Sequence, residues 1–336
     1  MQSVMIGSNQ AGQRLDKFLH KYLPEAGTSF LYKMLRKKNI TLNGKKAEGK
    51  EILVKGDEVQ FFFSEETFAK FSGRVAVKSD EYLRAYSAVQ GVQILYEDEH
   101  VILLNKPVGV LTQKASPGDS SLNEWLIGYL LESGAITEKE LQSFHPSVAN
   151  RLDRNTSGIV LCGKSLAGSQ ALSRIIKERS LQKYYHTVCV GDLEREQHLK
   201  GYLHKDEKSN KVTVRQELPQ DGREDAYSPI ETSYRPLCRN QSYTLLEVEL
   251  VTGKTHQIRS HLAYIGHPII GDGKYGAKQS NQVFREKYSL RNQLLHAYRV
   301  FFPREEGVLA PLSGREVVAP YPKLFARVVS DLFAEA

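Results

Sequence analysis

Asp153 is the one carboxylate in the segment NRLDRNTSG, Asn150–Gly158, and it stands between two cations, Arg151 and Arg154. If the chain is extended there, the period-two geometry of a strand puts Arg151 and Asp153 on one face and Leu152 on the other. A carboxylate anchored through Leu152 and presented beside a cation at a sheet edge can react. The same residues can equally form a plain loop ion pair. The apolar run Ile159–Cys162 that follows reads as a strand.

Thr252–His261, TGKTHQIRSH, is the second dense polar cluster. Gly253-Lys254-Thr255 hints at a phosphate loop, but the first glycine of that motif would fall at Val248, inside a strand, so this reading fails. Thr255 reads instead as the N-cap of a helix whose inward face is Ile258, Leu262 and Ile265, ended by Gly266 and Pro268. Arg259 sits at the rim of that stripe, either snorkelling to solvent or pairing with a buried carboxylate. His256, His261 and His267 fall on different faces and have no cysteine or acidic companions, which argues for structural or RNA-contacting histidines over a metal site. A third constellation, Lys183–Val188, puts Tyr185 and Thr187 on one strand face and Tyr184 and His186 on the other. Strand tyrosines ordinarily pack. NTSG lacks the leading aspartate of an aspartic-protease signature.

These groups need a scaffold, and 336 residues exceed one comfortable core, so two domains are expected. Residues 1–63 read as a unit. Leu15, Phe18, Leu19 and Tyr22 recur at helical spacing, and Thr28 or Ser29 caps a second helix with Phe30, Leu31, Met34 and Leu35 as its apolar face. Ile40–Leu42, the Asn43-Gly44 turn and Lys45-Lys46 form a hairpin, and Glu58–Phe63 a closing strand. Eleven Lys/Arg stand against six Asp/Glu in this stretch, so +5 of the chain's +7 resides there. Lys33, Arg36, Lys37, Lys45 and Lys46 are then candidates to follow a phosphate backbone, against the simpler reading of a solvated basic face.

Residues 64–90 show no period and read as a linker. Beyond it, residues 91–336 predict strands at Val92–Glu97, Val101–Lys106, Lys183–Gly191 and Tyr243–Val251. Helices are expected from Ser120 to Leu131, over Leu166–Glu178, and through Leu324, Val328 and Leu332, with hairpins and loops in the charged stretch Asp192–Pro229. Short turns outnumber helical crossovers, which predicts an α+β fold over a doubly wound sheet. No run approaches the roughly 18 apolar residues of a membrane helix. The N-terminus lacks a signal-peptide pattern, and Cys162, Cys189 and Cys238 read as reduced thiols, so a cytoplasmic protein without membrane partner is expected.

Taken together, these motifs resemble the RluA-type family of RNA pseudouridine synthases over nearly the whole chain. Residues 14–63 resemble an αL-type RNA-binding domain shared with a small-subunit ribosomal protein. ILYEDEHVILLNKP (Ile94–Pro107) resembles the opening of the catalytic domain, and NRLDRNTSG the catalytic HRLDxxTSG motif. Lys183-x-Tyr185-x-Thr187 resembles KxYxA, and the stretch from Thr252 through Gly276 resembles TGRTHQIRxHLxxxGHPIxGDxxYG. Leu295-His296-Ala297 resembles a late LHA motif. Asn150, Lys254 and Thr187 depart from the family's His, Arg and Ala.

The resemblance implies a mainly antiparallel sheet with flanking helices and a small N-terminal α/β domain. It implies isomerisation of uridine to pseudouridine after base flipping, a reaction that calls for no cofactor. Asp153 is then the catalytic carboxylate, Arg259 its partner, and Tyr185 the residue against the uracil. Arg151 fills the space of the flipped nucleotide, and Lys183, Lys254 and His256 contact RNA. The expected partner is RNA, ribosomal ahead of transfer, and the expected state a monomer. Two rivals make different predictions. A non-catalytic ribosome-assembly factor would bind RNA without product, and an aspartate-dependent nucleoside or glycoside hydrolase wants a second carboxylate in the site.

Overall fold

The computed structural model describes residues 2–72, 79–141, 143–206, 211–220, 222 and 224–334. At the N-terminus a strand absent from the sequence reading, Gln2–Met5 (β1), precedes the two expected helices, Leu15–Tyr22 (α1) and Thr28–Arg36 (α2). Gly27, not Thr28 or Ser29, takes the N-cap position of α2. Ile40–Leu42 (β2), Lys45–Lys46 (β3) and Glu58–Phe61 (β4) complete a sheet in the order β1-β4-β2-β3. Asn43 and Gly44 both have positive φ, +52° and +72°, as a tight hairpin turn demands. Phe18, Leu19, Leu31, Leu35, Ile40 and Phe61 form a core of this unit's own, while Lys33, Arg36, Lys37, Lys45 and Lys46 stay exposed.

The stretch expected as a linker, 64–90, holds two helices, Glu65–Phe71 (α3) and Ser79–Ala88 (α4); residues 73–78 lie outside the described residues. Ser64 caps α3 by accepting from the Thr67 N–H, and Phe68 and Phe71 lie against the N-terminal core. Tyr82 and Tyr86 of α4 pack on the core beneath Leu122–Glu132 (α5). The two helices touch so closely that a Cβ on Gly128 would collide with the Tyr82 carbonyl. Each short helix buries only a few aromatics against a neighbour, too few to write a period into the sequence.

The larger sheet begins with Gln93–Glu97 (β5) and Val101–Lys106 (β6). After α5 come Glu138–Leu141 (α6), Ser147–Val148 (β7), Ser157–Gly163 (β8), Leu166–Lys177 (α7) and Gln182–Val190 (β9). The charged stretch supplies the hairpin Gln197–Asp206 (β10) and Lys211–Arg215 (β11), then Tyr227–Arg239 (β12), before Tyr243–Leu250 (β13). Gln257–Tyr264 (α8), Lys278–Tyr288 (α9), Leu295–Phe301 (β14), Glu316–Val318 (β15) and Lys323–Phe333 (α10) finish the chain.

Nine strands run in the order β11-β10-β12-β13-β9-β14-β8-β6-β5, with β15 on β14 and β7 on β8. Among the described residues every pairing of these strands is antiparallel except β14 with β8, so the α+β, mainly antiparallel expectation holds. Helices cover both faces. On β6, Ile102 and Leu104 join one core with Trp125, Leu126, Val248 and Ile258, while Val101 and Leu103 join another with Leu172 and Ile175 of α7. Strands buried on two faces carry near-continuous apolar runs, which is why β6 and β8 read so clearly. Among the described residues no helix is long and apolar enough to cross a membrane.

Candidate active site

Asp153 lies in the loop between β7 and β8. Leu152 is buried and Arg151 exposed, as the alternating pattern requires. The turn after β6 grips this loop on both sides of Asp153. The Thr112 hydroxyl donates to Leu152 O at 2.8 Å and accepts from Leu152 N–H at 3.1 Å. On the far side, Lys106 is fully buried and its Nζ donates to Pro107 O, Val110 O and Arg154 O at 3.0, 2.8 and 3.1 Å. Three acceptors match the three hydrogens of an ammonium group. Burial lowers the Lys106 pKa to about 7, and the Asp153 charge opposes that shift. Asn150, one of the departures from the family pattern, turns onto β8: its Oδ1 accepts from Leu161 N–H at 2.7 Å and its Nδ2 donates to Ile159 O at 3.4 Å.

Arg259 is buried, which decides between the two roles open to it. Its Nη1 donates to Asp153 Oδ2 at 2.6 Å. The rest of the fork is taken by Asp272, Nε to Oδ2 at 2.7 Å and Nη2 to Oδ1 at 2.9 Å. Burial works to lower the Arg259 pKa, but the Asp272 and Asp153 carboxylates outweigh it and hold the guanidinium charged. Helix α8 starts one residue later than the sequence predicts. His256, not Thr255, stands at the cap, in the left-handed region with φ +53°. The cause is Gln257, whose Oε1 accepts from the Thr252 hydroxyl at 2.8 Å and the Lys254 N–H at 3.1 Å, closing the turn before the helix. Left-handed backbone turns the His256 ring into the site, where Nε2 lies 3.8 Å from Asp153 Oδ2. Burial lowers its pKa, with Asp153 opposing. The other histidines diverge, His261 to the Thr232 hydroxyl and His267 to Val190 O.

Tyr185 projects from β9, in register with Val248 on one side and Ala297 on the other. Ala297 is in turn the parallel partner of Gly158, so three strands bring the tyrosine to the end of the Asp153 loop. Gly158 has φ +109°, and a Cβ there would strike the Ala297 backbone. Asp153, Tyr185, Arg259, Arg151, Lys254 and His256 all line one cavity of about 430 Å³, floored by Leu152, Ile258 and Leu295. Burial, then the Asp153 charge, pushes the Tyr185 pKa up, so its phenol rests protonated. Lys183 does not line this cavity; it is half-buried on β9 in register with Val300, its pKa lowered by burial and by Arg179.

The cavity opens into a groove of about 1670 Å³. Lys114, Arg151, Arg154, Lys205, Lys254, Arg259, Lys274 and Arg291 line it, and among the described residues Asp153 is the carboxylate on its wall. Asp272, Thr112 and Lys106 were absent from the sequence assignment, as were most of the groove's cations. The Gly271-Asp272-Gly273 run was the available signal for the first, an acidic residue isolated between glycines. Nothing in the sequence marks Thr112.

Residues 100–264 match the family model described as RNA pseudouridylate synthase. The chain is 29% identical over 338 residues to the ribosomal large subunit pseudouridine synthase C of Vibrio vulnificus, covering 99% of this chain and 96% of the relative. It is 31% identical over 315 residues to proteins of the same name from Salmonella typhi and Escherichia coli, covering 89% of this chain and 88% of each relative. Its fold is similar to that of human RNA pseudouridylate synthase domain containing 4, with TM-score 0.59 and 20% identity over 75% of this chain and 97% of that one. Human RNA pseudouridylate synthase domain containing 1 gives TM-score 0.54 at 20% identity, over 73% and 88%.

Proposed function

Since the chain belongs to the RNA pseudouridylate synthase family, we propose that it converts uridines of large-subunit ribosomal RNA to pseudouridine with Asp153 as the reacting carboxylate. The observation that carries this reading is that, among the described residues, one carboxylate stands on the wall of a cation-lined groove, held by an arginine that Asp272 locks in place. In the reaction the bond from uracil N1 to ribose C1′ breaks, the detached base turns, and C5 bonds to C1′ as a proton leaves C5 and N1 gains one. Asp153 acts at the sugar, as nucleophile or as base, while Arg259 keeps it aimed. Tyr185 lies against the ring; its protonated phenol can take the C5 proton only as it passes on its own, which suits the last step. Arg151, exposed at the groove, takes the space the flipped nucleotide leaves.

Flipping costs a few kcal/mol. The groove's lysines and arginines offset it through phosphate contacts, joined by Lys33, Arg36, Lys37, Lys45 and Lys46 of an N-terminal RNA-anchoring domain. The hydrolase rival is weakened by Asp272. It is a second carboxylate, but both its oxygens are occupied by Arg259 and its side chain is fully buried, so it cannot serve as a second acid or base.

The test is pseudouridine mapping at single-nucleotide resolution in ribosomal RNA treated with the parent protein or with Asp153→Asn. Product from the parent and none from the folded variant is expected. RNA binding without product on naked RNA and on assembling particles would shift the reading to a binding factor, and released uracil to a hydrolase.

A further inference from the structure

Tyr275, between α8 and α9, touches more of the candidate site than any role so far assigned to it explains. Its hydroxyl accepts from the Val212 N–H at 3.0 Å and meets His256 Nδ1 at 2.9 Å. Its ring stands edge-on to the His256 ring, centroids 5.7 Å apart, and under the Arg259 guanidinium at 5.3 Å. Its N–H donates to Asp272 Oδ1 at 3.1 Å. With the phenol hydrogen donated to Nδ1, the imidazole hydrogen would stand on Nε2, the side facing Asp153.

Val212 belongs to β11, the outer strand of the β10–β11 hairpin, and its register partner across the hairpin is Lys205. Lys205 lines the groove. A short path therefore runs from a cation at the groove, across the register pair Lys205–Val212, through a single phenol, to the histidine and arginine beside the reactive carboxylate. We propose that Tyr275 is a positioning residue that sets His256 and Arg259 against Asp153 and couples the seating of RNA on the β10–β11 hairpin to that alignment. The inference rests on the pseudouridine synthase reading and adds to it a specificity element: RNA that misses the hairpin is turned over slowly even where it binds.

Tyr275→Phe keeps the ring and removes only the hydroxyl. In the full-length protein, kcat on ribosomal RNA should fall about 10- to 100-fold, the scale of a misplaced catalytic group, while the RNA Kd stays within about threefold. Lys205→Gln alone should lower kcat, yet add little in the Tyr275→Phe background, because one linkage is broken only once. In the RNA-free protein the Val212 amide should lose hydrogen-exchange protection in Tyr275→Phe. An unchanged kcat, or effects of the two substitutions that multiply, would overturn the coupling. If the parent protein makes no pseudouridine, the functional reading fails and the exchange measurement still decides the linkage: unchanged Val212 protection overturns it, lost protection upholds it. Should Tyr275→Phe melt well below the parent, His256→Gln cuts the same path from the other end: kcat at saturating RNA should fall by the same factor, and an unchanged kcat would overturn the proposal.

Discussion

Thr112→Val tests whether the grip on the Asp153 loop matters for chemistry as well as for stability. Thr112 is buried, and its hydroxyl is the partner of both the Leu152 N–H and the Leu152 carbonyl. Valine keeps nearly the same shape and removes both hydrogen bonds. Each buried backbone group left without a partner costs about 1–3 kcal/mol, so a loop that stays in place, with two such groups, loses about 2–6 kcal/mol of stability. A loop that relaxes to find water recovers part of that loss but moves Asp153, the next residue along. A displacement near 1 Å costs on the order of 100-fold in rate. Urea denaturation gives the first quantity and single-turnover pseudouridine formation at saturating RNA the second. Thr112→Ser restores the hydroxyl and should keep turnover within a few-fold of the parent. A Thr112→Val protein that is destabilised as calculated yet reacts at the parent rate would refute the claim that this clamp positions Asp153.

The ion-pair triad makes a stability prediction. Arg259→Met strands the fully buried Asp272, at a cost of about 3–5 kcal/mol, whereas Asp153→Asn leaves the Arg259–Asp272 pair intact and should shift the unfolding midpoint little. Equal destabilisation by the two would mean Asp153 is chiefly a structural partner. Gly158→Ala combines a left-handed backbone position with a collision at Ala297, so soluble expression or Tm should drop sharply, while Gly253→Ala, with open space around it, should not. His261 and His296 are buried, and burial lowers both pKa values to about 4. The folded state then binds fewer protons than the unfolded chain below the ordinary value near 6.5, so stability falls as pH drops from there through about 4. The slope is about 1.4 kcal/mol per pH unit per histidine, about 3 kcal/mol each in total. Denaturation midpoints that stay flat from pH 6.5 to 4.5 would contradict this.

The sequence by itself determined the elements that are buried on a regular period and the chemistry carried by local order. The strands β6, β8, β9 and β13 and the helices α5, α7 and α10 were legible because apolar residues repeat along them. The alternation around Leu152 placed Asp153 at the surface of the core, and Asn43-Gly44 announced its own turn. Helices α3 and α4 escaped because each is held by a few aromatics reaching into a neighbour's core, a tertiary fact with no period. The start of α8 departs from its sequence signal for a related reason. Thr255 is a good cap by type, but the side chain of Gln257 closes the preceding turn and hands the position to His256. Only the tertiary structure decided which cations share a groove, that Arg259 serves two carboxylates rather than one, and that Thr112 grips Leu152 across 40 residues. Spacing along a chain encodes which faces of one element are buried. It carries no distance between residues brought together by sheet order, and the site is assembled from those distances: a loop after β7, the middle of β9, the first turn of α8 and the turn after β6.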